Sequence, residues 1–107
     1  MAHKLNANFY LYTGTDNEAE CDEAIEFLTN TVGLEYTHMH YHDSVQTQEV
    51  YSNLKTWFRD ETDLRYPFVV YDEVYDLTDR PNRIPRCVNG LSAIKSADWN
   101  SIINFAG

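Results

Sequence analysis

Two cysteines are the strongest nucleophiles in this chain, and their spacing limits the chemistry they could perform. Cys21 and Cys87 lie far apart in the sequence, whereas zinc sites and redox pairs use cysteines a few residues apart. A disulfide between them is disfavoured in a reducing compartment. Cys21 lies at helical spacing from Ala24 and Leu28. It could be a redox thiol, but this spacing favours a core residue, which is what we expect.

Acidic side chains crowd the sequence around Cys21. They are Asp16, Glu18, Glu20, Asp22 and Glu23. Nearby carboxylates disfavour a further negative charge and raise the pKa of a thiol, whereas a reactive cysteine is exposed and lies near positive charge. The structural explanation for these acids is that they stabilise the positive N-terminal end of a helix.

A row of histidines alternates with other residues along one predicted strand. They are His38, His40 and His42. Alternate strand residues share a face, and a His-x-His pair can bind zinc or copper, with Asp43 as a further ligand. The alternative is the solvated face of an edge strand, with Met39 and Tyr41 turned to the core. Spacing alone fixes neither ligand number nor geometry, so both interpretations stay open.

The overall charge excludes one class of partner. Among 107 residues, 17 are acidic and 8 are Lys or Arg, which gives a net charge of −9. Nucleic acids are bound through Lys and Arg, so we expect no nucleic-acid partner. No apolar run could cross a membrane, and the first residues lack a signal-peptide core. We therefore expect a cytoplasmic protein with no membrane partner, folded as one domain over residues 1–107.

Hydrophobic spacing predicts alternating strands and helices over the first two thirds of the chain. The predicted strands cover 9–12, 34–42 and 66–71, and the predicted helices cover 16–32 and 44–60. Thr15 and Glu18 have the spacing of a capping box for the first helix, and Gly33 ends it. Asp43 or Ser44 caps the second helix.

The segment 72–95 is open to two layouts. Either Arg80–Asn82 is a turn and 83–88 returns as a fourth strand, or Asn89-Gly90 forms a tight hairpin. After Asn89-Gly90, a short helix is predicted over residues 91–95, and Ser96 is predicted to cap a last helix. The apolar face of that helix comprises Trp99, Ile102, Ile103 and Ala106. The order β-α-β-α-β-β-α predicts an α/β fold with a four-stranded mixed sheet and helices on both faces.

This order, with a proline opening the third strand, resembles the glutaredoxin branch of the thioredoxin fold. Tyr12-Thr13 resembles the "YT" before the glutaredoxin redox loop, and Tyr-Pro-Phe-Val-Val at 66–70 resembles the cis-proline strand. Val-Asn-Gly-Leu-Ser-Ala-Ile at 88–94 is similar to the family's "IGGxDDL" segment. The acidic character and the long second helix are similar to small glutaredoxins of tailed bacteriophages. The resemblance spans nearly the whole chain.

The chain departs from that family at the redox loop. The resemblance implies Cys-x-x-Cys, or a single cysteine at its first position, where this sequence has Asn17-Glu18-Ala19-Glu20-Cys21. Only the second position is a cysteine, and Asn17 or Glu18 takes the nucleophile's place. The family's basic residue after "YT" is Gly14 here, and the aspartate that binds the amine of glutathione is Ser92. The reducing machinery is therefore absent.

We expect a non-catalytic glutaredoxin-like binding or interaction domain with a ligand groove. Its predicted residues are Gly14, Thr15, Asp16, Asn17, Arg65, Tyr66, Pro67, Gly90 and Leu91. In such folds the residue before the cis proline pairs with a ligand backbone through its N–H and C=O, although the cis bond could simply build the turn. Arg65 could receive a carboxylate. No cofactor is expected, with glutathione as the candidate ligand, and the partner is a protein or a small molecule.

Two alternatives stay open. One is an atypical monothiol, glutathione-dependent oxidoreductase that uses Cys21. The other is a metal-binding module on the strand that carries His38, His40 and His42.

Overall fold

Four strands form one mixed sheet in the computed structural model, which describes residues 3–15, 17–42, 44–58, 64–77 and 80–103. The strands are β1 (His3–Gly14), β2 (Thr37–Tyr41), β3 (Phe68–Leu77) and β4 (Arg80–Asn89). Their order across the sheet is β2-β1-β3-β4. Strand β1 runs parallel to β2 and antiparallel to β3, and β3 is antiparallel to β4.

Helices connect or follow these strands. They are α1 (Glu18–Glu26), α2 (Ser44–Trp57), α3 (Leu91–Ser96) and α4 (Trp99–Ile103). Helix α1 continues through Phe27–Val32 with π-helical hydrogen bonding and ends at Gly33, whose φ of 72° is left-handed. Over the described ranges, no helix has both the length and the apolar character needed to cross a bilayer.

Each face of the sheet is covered by different helices, because alternate strand residues point to opposite faces. On one face Leu11 and Val69 pack with residues of α1, α3 and α4, among them Leu28, Ile94 and Trp99. On the other face a set of half-buried residues packs against a buried cluster of Cys21, Leu64, Tyr66 and Phe68. The half-buried residues are Tyr12, Tyr41, Val50, Tyr51, Leu54, Val70 and Cys87. The predicted mixed α/β fold with a four-stranded mixed sheet and helices on both faces is confirmed.

The segment 72–95 takes the layout with a fourth strand, and that strand is longer than predicted. Strand β4 pairs with β3 from Phe68–Asn89 to Leu77–Arg80. The turn predicted at Arg80–Asn82 is therefore wrong, because its residues belong to β4. This strand lies at the sheet edge, where its prolines need not donate to a further strand. The tight hairpin at Asn89-Gly90 is also wrong, since Gly90 (φ 89°) opens α3.

Two of the predicted capping residues, Thr15 and Ser96, are corrected by the structure. Helix α1 is preceded by Asn17 as its N-cap residue, so the capping box of Thr15 and Glu18 is wrong. Thr15 instead extends the β1–β2 pairing, donating its N–H to the carbonyl of Tyr41 at 3.3 Å. At α4 the cap is the Asp98 carboxylate, which accepts the backbone N–H and the hydroxyl of Ser101 at 3.3 and 2.8 Å.

Ser96, the predicted cap of the last helix, donates its hydroxyl to the carbonyl of Ser92 inside α3 at 2.8 Å. The predicted cap Asp43, the predicted end of the second helix near Asp60, and Ala106 lie outside the described residues.

Candidate functional site

The thiol of Cys21 lies inside the fold. Its side chain is 3% exposed, and it donates a weak hydrogen bond to the carbonyl of Gly14 at 3.8 Å. Burial raises the pKa of Cys21, and the carboxylates of Asp22, Glu20 and Glu18 raise it further. A buried thiol held in its neutral form suits packing better than attack on a disulfide.

The peptide groups on either side of Tyr66 are engaged by side chains of this same chain. The Tyr66–Pro67 bond is cis. The Tyr66 N–H donates to the hydroxyl of Tyr51 at 3.1 Å, and the Tyr66 carbonyl accepts the side-chain N–H of Asn17 at 3.1 Å. The two groups that the resemblance assigns to a ligand backbone are therefore both hydrogen-bonded within the domain.

The Tyr66 ring is fully buried in an aromatic stack. It lies nearly parallel to Phe68, with centroids 5.7 Å apart, and to Tyr41 at 6.4 Å. Its hydroxyl donates to Thr47 at 3.4 Å. Gly14 lies directly against this ring, and a Cβ at Gly14 would overlap ring atoms Cε2 and Cδ2. Gly14 is therefore required by the packing of Tyr66, which excludes the larger basic residue that the resemblance implies there.

A cavity of about 570 Å³ lies beside these groups, between the start of α1, the segment before β3 and α3. It is lined by Glu20, Arg65, Asn89, Gly90, Leu91, Ser92 and Lys95. Two hydrogen bonds join the segments around the cavity. The backbone N–H of Arg65 donates to the Asn89 side chain at 3.1 Å, and the backbone N–H of Gly90 donates to the Pro67 carbonyl at 3.0 Å. We call this cavity the anion groove, a name that refers only to the two cationic residues, Arg65 and Lys95, in its lining.

The predicted groove residues that the structure describes divide into three sets. Arg65, Gly90 and Leu91 line the anion groove. Gly14, Tyr66 and Pro67 are buried beneath it, while Thr15 and Asn17 are exposed without lining it. Asp16 lies outside the described residues.

Sequence reasoning missed a second cation at the groove. Lys95 on α3 lines it and forms an ion pair with Glu23 of α1 at 3.1 Å. Both side chains of this pair are about half exposed, and exposed pairs of this kind contribute little to stability. Helical spacing from Leu91 would have placed Lys95 on the same side of α3.

The histidines of β2 contact a buried threonine. The Thr13 hydroxyl lies 2.7 Å from His38 Nε2 and 2.6 Å from His40 Nδ1. A hydroxyl has one proton, so it can donate to at most one of the two imidazoles and accepts from at least one of them. The ring of His42 lies 4.4 Å from that of His40. Burial lowers the pKa of His38, and His40 lowers it further.

The histidine row is exposed, and Met39 and Tyr41 are half-buried on the opposite face of β2. Within the described ranges, no group of three or more His, Cys, Asp and Glu side chains is arranged to hold a metal ion. Asp43, the predicted further ligand, lies outside those ranges. Thr13 was not foreseen as their partner, because its contact with His40 depends on the register of β1 with β2.

No family model, no curated protein and no solved structure matches this chain. The interpretation of the site therefore rests on its geometry.

Proposed function

We propose that this domain has the glutaredoxin-type thioredoxin fold and binds a small anionic ligand without carrying out thiol–disulfide exchange. The fold assignment is supported by the strand order β2-β1-β3-β4, with one parallel and two antiparallel pairs. It is supported further by the cis bond between Tyr66 and Pro67 directly before β3.

The main observation in favour of a domain without exchange chemistry is that the backbone carbonyl and N–H of Tyr66 are hydrogen-bonded to the side chains of Asn17 and Tyr51. Asn17 is one of the two residues, with Glu18, that the resemblance places at the nucleophile's position, and here it donates to a backbone carbonyl. The remaining thiol, that of Cys21, is buried. A substrate that paired with the Tyr66 peptide groups would have to displace two internal hydrogen bonds, each contributing about 1 kcal/mol.

The anion groove gives the proposal its ligand class. Arg65 and Lys95 line it, with Glu20 as the single carboxylate among its lining residues. A guanidinium binds a carboxylate through two parallel hydrogen bonds. The described lining thus has two cations and one carboxylate in a protein of net charge −9, and Lys95 is also paired with Glu23 at 3.1 Å. Glutathione, which carries two carboxylates and one amine, is the probe that tests this ligand class.

A titration with reduced glutathione, followed residue by residue by amide NMR, tests the proposal. We expect saturable shifts at Gly90, Leu91 and Ser92, and their loss in Arg65→Gln. Arg86→Gln is the matched control, because Arg86 is exposed on β4 and lies outside the groove lining. Absence of saturable shifts, or equal weakening by both substitutions, would contradict an anion site at Arg65.

The oxidoreductase alternative makes the opposite prediction for Cys21. If purified protein reduces a glutathione mixed disulfide and Cys21→Ser abolishes that activity, the non-catalytic proposal is overturned. The assay distinguishes the two functions even where glutathione binds in both.

The metal-binding module stays a second candidate, because two imidazole nitrogens approach one point beside Thr13. It predicts stoichiometric uptake of zinc or copper by the intact protein. Uptake that survives in the double variant His38→Ala/His40→Ala would show that these residues are not the ligands.

A further inference from the structure

A second cavity, of about 540 Å³, lies between α2 and the sheet face that α2 covers. It is lined by Asn8, Tyr10, Tyr12, Asn53, Leu54, Thr56, Trp57, Val70, Asp72 and Pro85. It shares no lining residue with the anion groove. We call this second cavity the aromatic cavity. We propose that it binds the arginine side chain of a basic partner protein.

The charge of the aromatic cavity selects a cation. Among the residues that the structure describes, Asp72 is the single charged residue that lines it, and neither Lys nor Arg does. The side-chain N–H of Asn8 donates to Asp72 Oδ2 at 3.3 Å, which helps to orient the carboxylate. A carboxylate has about four acceptor positions, so Asp72 can hold a cation while it keeps its contacts within the domain.

The aromatic lining selects a flat cation. Tyr10, Tyr12 and Trp57 contribute rings to the walls. A guanidinium stacks on aromatic faces and forms paired hydrogen bonds with a carboxylate, whereas an ammonium is compact and more strongly hydrated. Rings and one carboxylate around a single cavity therefore match arginine better than lysine.

Exposure and net charge favour a protein as the source of this arginine. Trp57 is 68% exposed at the C-terminal end of α2, and Val45 at the other end of the same helix is 62% exposed. Exposed tryptophans of this kind are enriched among the residues that dominate protein interfaces. The net charge of −9 attracts a basic partner and accelerates its encounter with this surface.

Tryptophan fluorescence of the intact protein can test the proposal, because the two tryptophans differ in environment. Trp57 is exposed, while Trp99 is buried and donates its indole N–H to the Ile94 carbonyl at 2.6 Å. Acrylamide therefore quenches mainly Trp57. The probes are Gly-Ser-Arg-Ser-Gly, blocked at both ends, its lysine and citrulline counterparts, and N-acetyl-arginine amide. Citrulline keeps the shape of arginine and removes its charge.

We expect the arginine peptide to protect Trp57 from quenching in a saturable way. The citrulline peptide should bind about tenfold more weakly or worse, since it loses the charge-assisted bonds. Asp72→Asn should weaken the arginine peptide by about the same factor, because it removes the charge and keeps an acceptor for Asn8. Glu49→Gln, which removes a charge from α2 outside this cavity, should change affinity less than about twofold.

Four results would overturn the proposal. The first is no saturable protection by the arginine peptide at up to about 10 mM. The second is equal binding of the citrulline peptide. The third is equal weakening by Glu49→Gln and Asp72→Asn, which would indicate general attraction. The fourth is tighter binding of N-acetyl-arginine amide than of the peptide, which would identify a small-molecule site. Circular dichroism of each variant verifies that it is folded.

Discussion

The side-chain amide of Asn17 donates a 3.1 Å hydrogen bond to the backbone carbonyl of Tyr66, which lies on a different segment of the chain. This contact ties the loop before α1 to the segment before β3. The hydroxyl of Tyr51, on α2, accepts the N–H of the same residue at 3.1 Å. The two side chains together engage both backbone polar groups of Tyr66.

Removal of these two contacts should destabilise the domain and expose the Tyr66 peptide groups. Asn17→Ala and Tyr51→Phe should each lower the free energy of unfolding by about 1 kcal/mol, measured by urea denaturation. Tyr36→Phe is the control, because it removes an exposed tyrosine contact with Thr29 and should cost less than about 0.5 kcal/mol.

The same pair of substitutions also tests the functional consequence. In the double variant Asn17→Ala/Tyr51→Phe, glutathione should produce a new amide shift at Tyr66 in addition to those around Gly90. If the double variant is folded and Tyr66 responds no more than in the unmodified protein, the two side chains do not block backbone pairing at this position.

Gly14 should tolerate no side chain, because the Tyr66 ring lies against its Cα. Gly14→Ala forces a shift of a fully buried ring or of the β1 backbone, so we expect a loss of about 1 to 3 kcal/mol in the free energy of unfolding. Thr15→Ala, at the exposed neighbouring position, should change it by less than about 0.5 kcal/mol. Equal effects of the two substitutions would contradict the close packing.

The Cys21 thiol should react slowly in the folded protein. Burial raises its pKa, so the thiol stays protonated at pH values where a free cysteine begins to ionise. With Cys87→Ser as the background, iodoacetamide at about pH 8 should label Cys21 far faster in urea than in buffer. Rapid labelling of the folded protein would support the monothiol alternative.

The stability of the domain should fall on mild acidification through His38. Its pKa in the folded state lies below the ordinary 6.5, so the unfolded chain binds more protons in this range. The contribution of neutral His38 is complete above the unfolded pKa and is lost as the pH falls through 6.5 towards the folded pKa. Urea denaturation at about pH 7.5 and about pH 5.5 measures this change.

His38→Gln should reduce that pH dependence, and His42→Gln, at the end of the same row, should leave the contribution of His38 in place. An NMR titration of the imidazole protons gives the direct readout. A midpoint for His38 at or above 6.5 would contradict the expected effect of burial.

Local patterns predicted the elements better than their ends. Strand and helix periodicity located three strands of the sheet and both long helices, because side-chain burial repeats along the chain within each element. It left the fourth strand as one of two layouts. The caps were wrong at Thr15 and Ser96, since the choice of cap depends on where strand pairing stops. Thr15 bonds to Tyr41 of the neighbouring strand, and no spacing within the first helix reports that contact.

The candidate groove was predicted only in part, because local patterns report some of its residues and long-range packing places the others. The turn and helix signals at Gly90 and Leu91 are local, and both residues line the anion groove. The burial of Gly14 and Tyr66 depends on one ring packing against a glycine far away in sequence. The aromatic cavity was not foreseen, because Trp57 and Asp72 come together only when α2 packs on the sheet.

By itself, the sequence determined the order of elements, the acidic charge and the wide separation of the two cysteines, because these depend on residue identity and local spacing. Only the tertiary structure decided that Asn17 and Tyr51 occupy the peptide groups of Tyr66, and that Thr13 bonds to His38 and His40. Such contacts join residues distant in the chain. They depend on strand register and helix packing, which the whole core sets together.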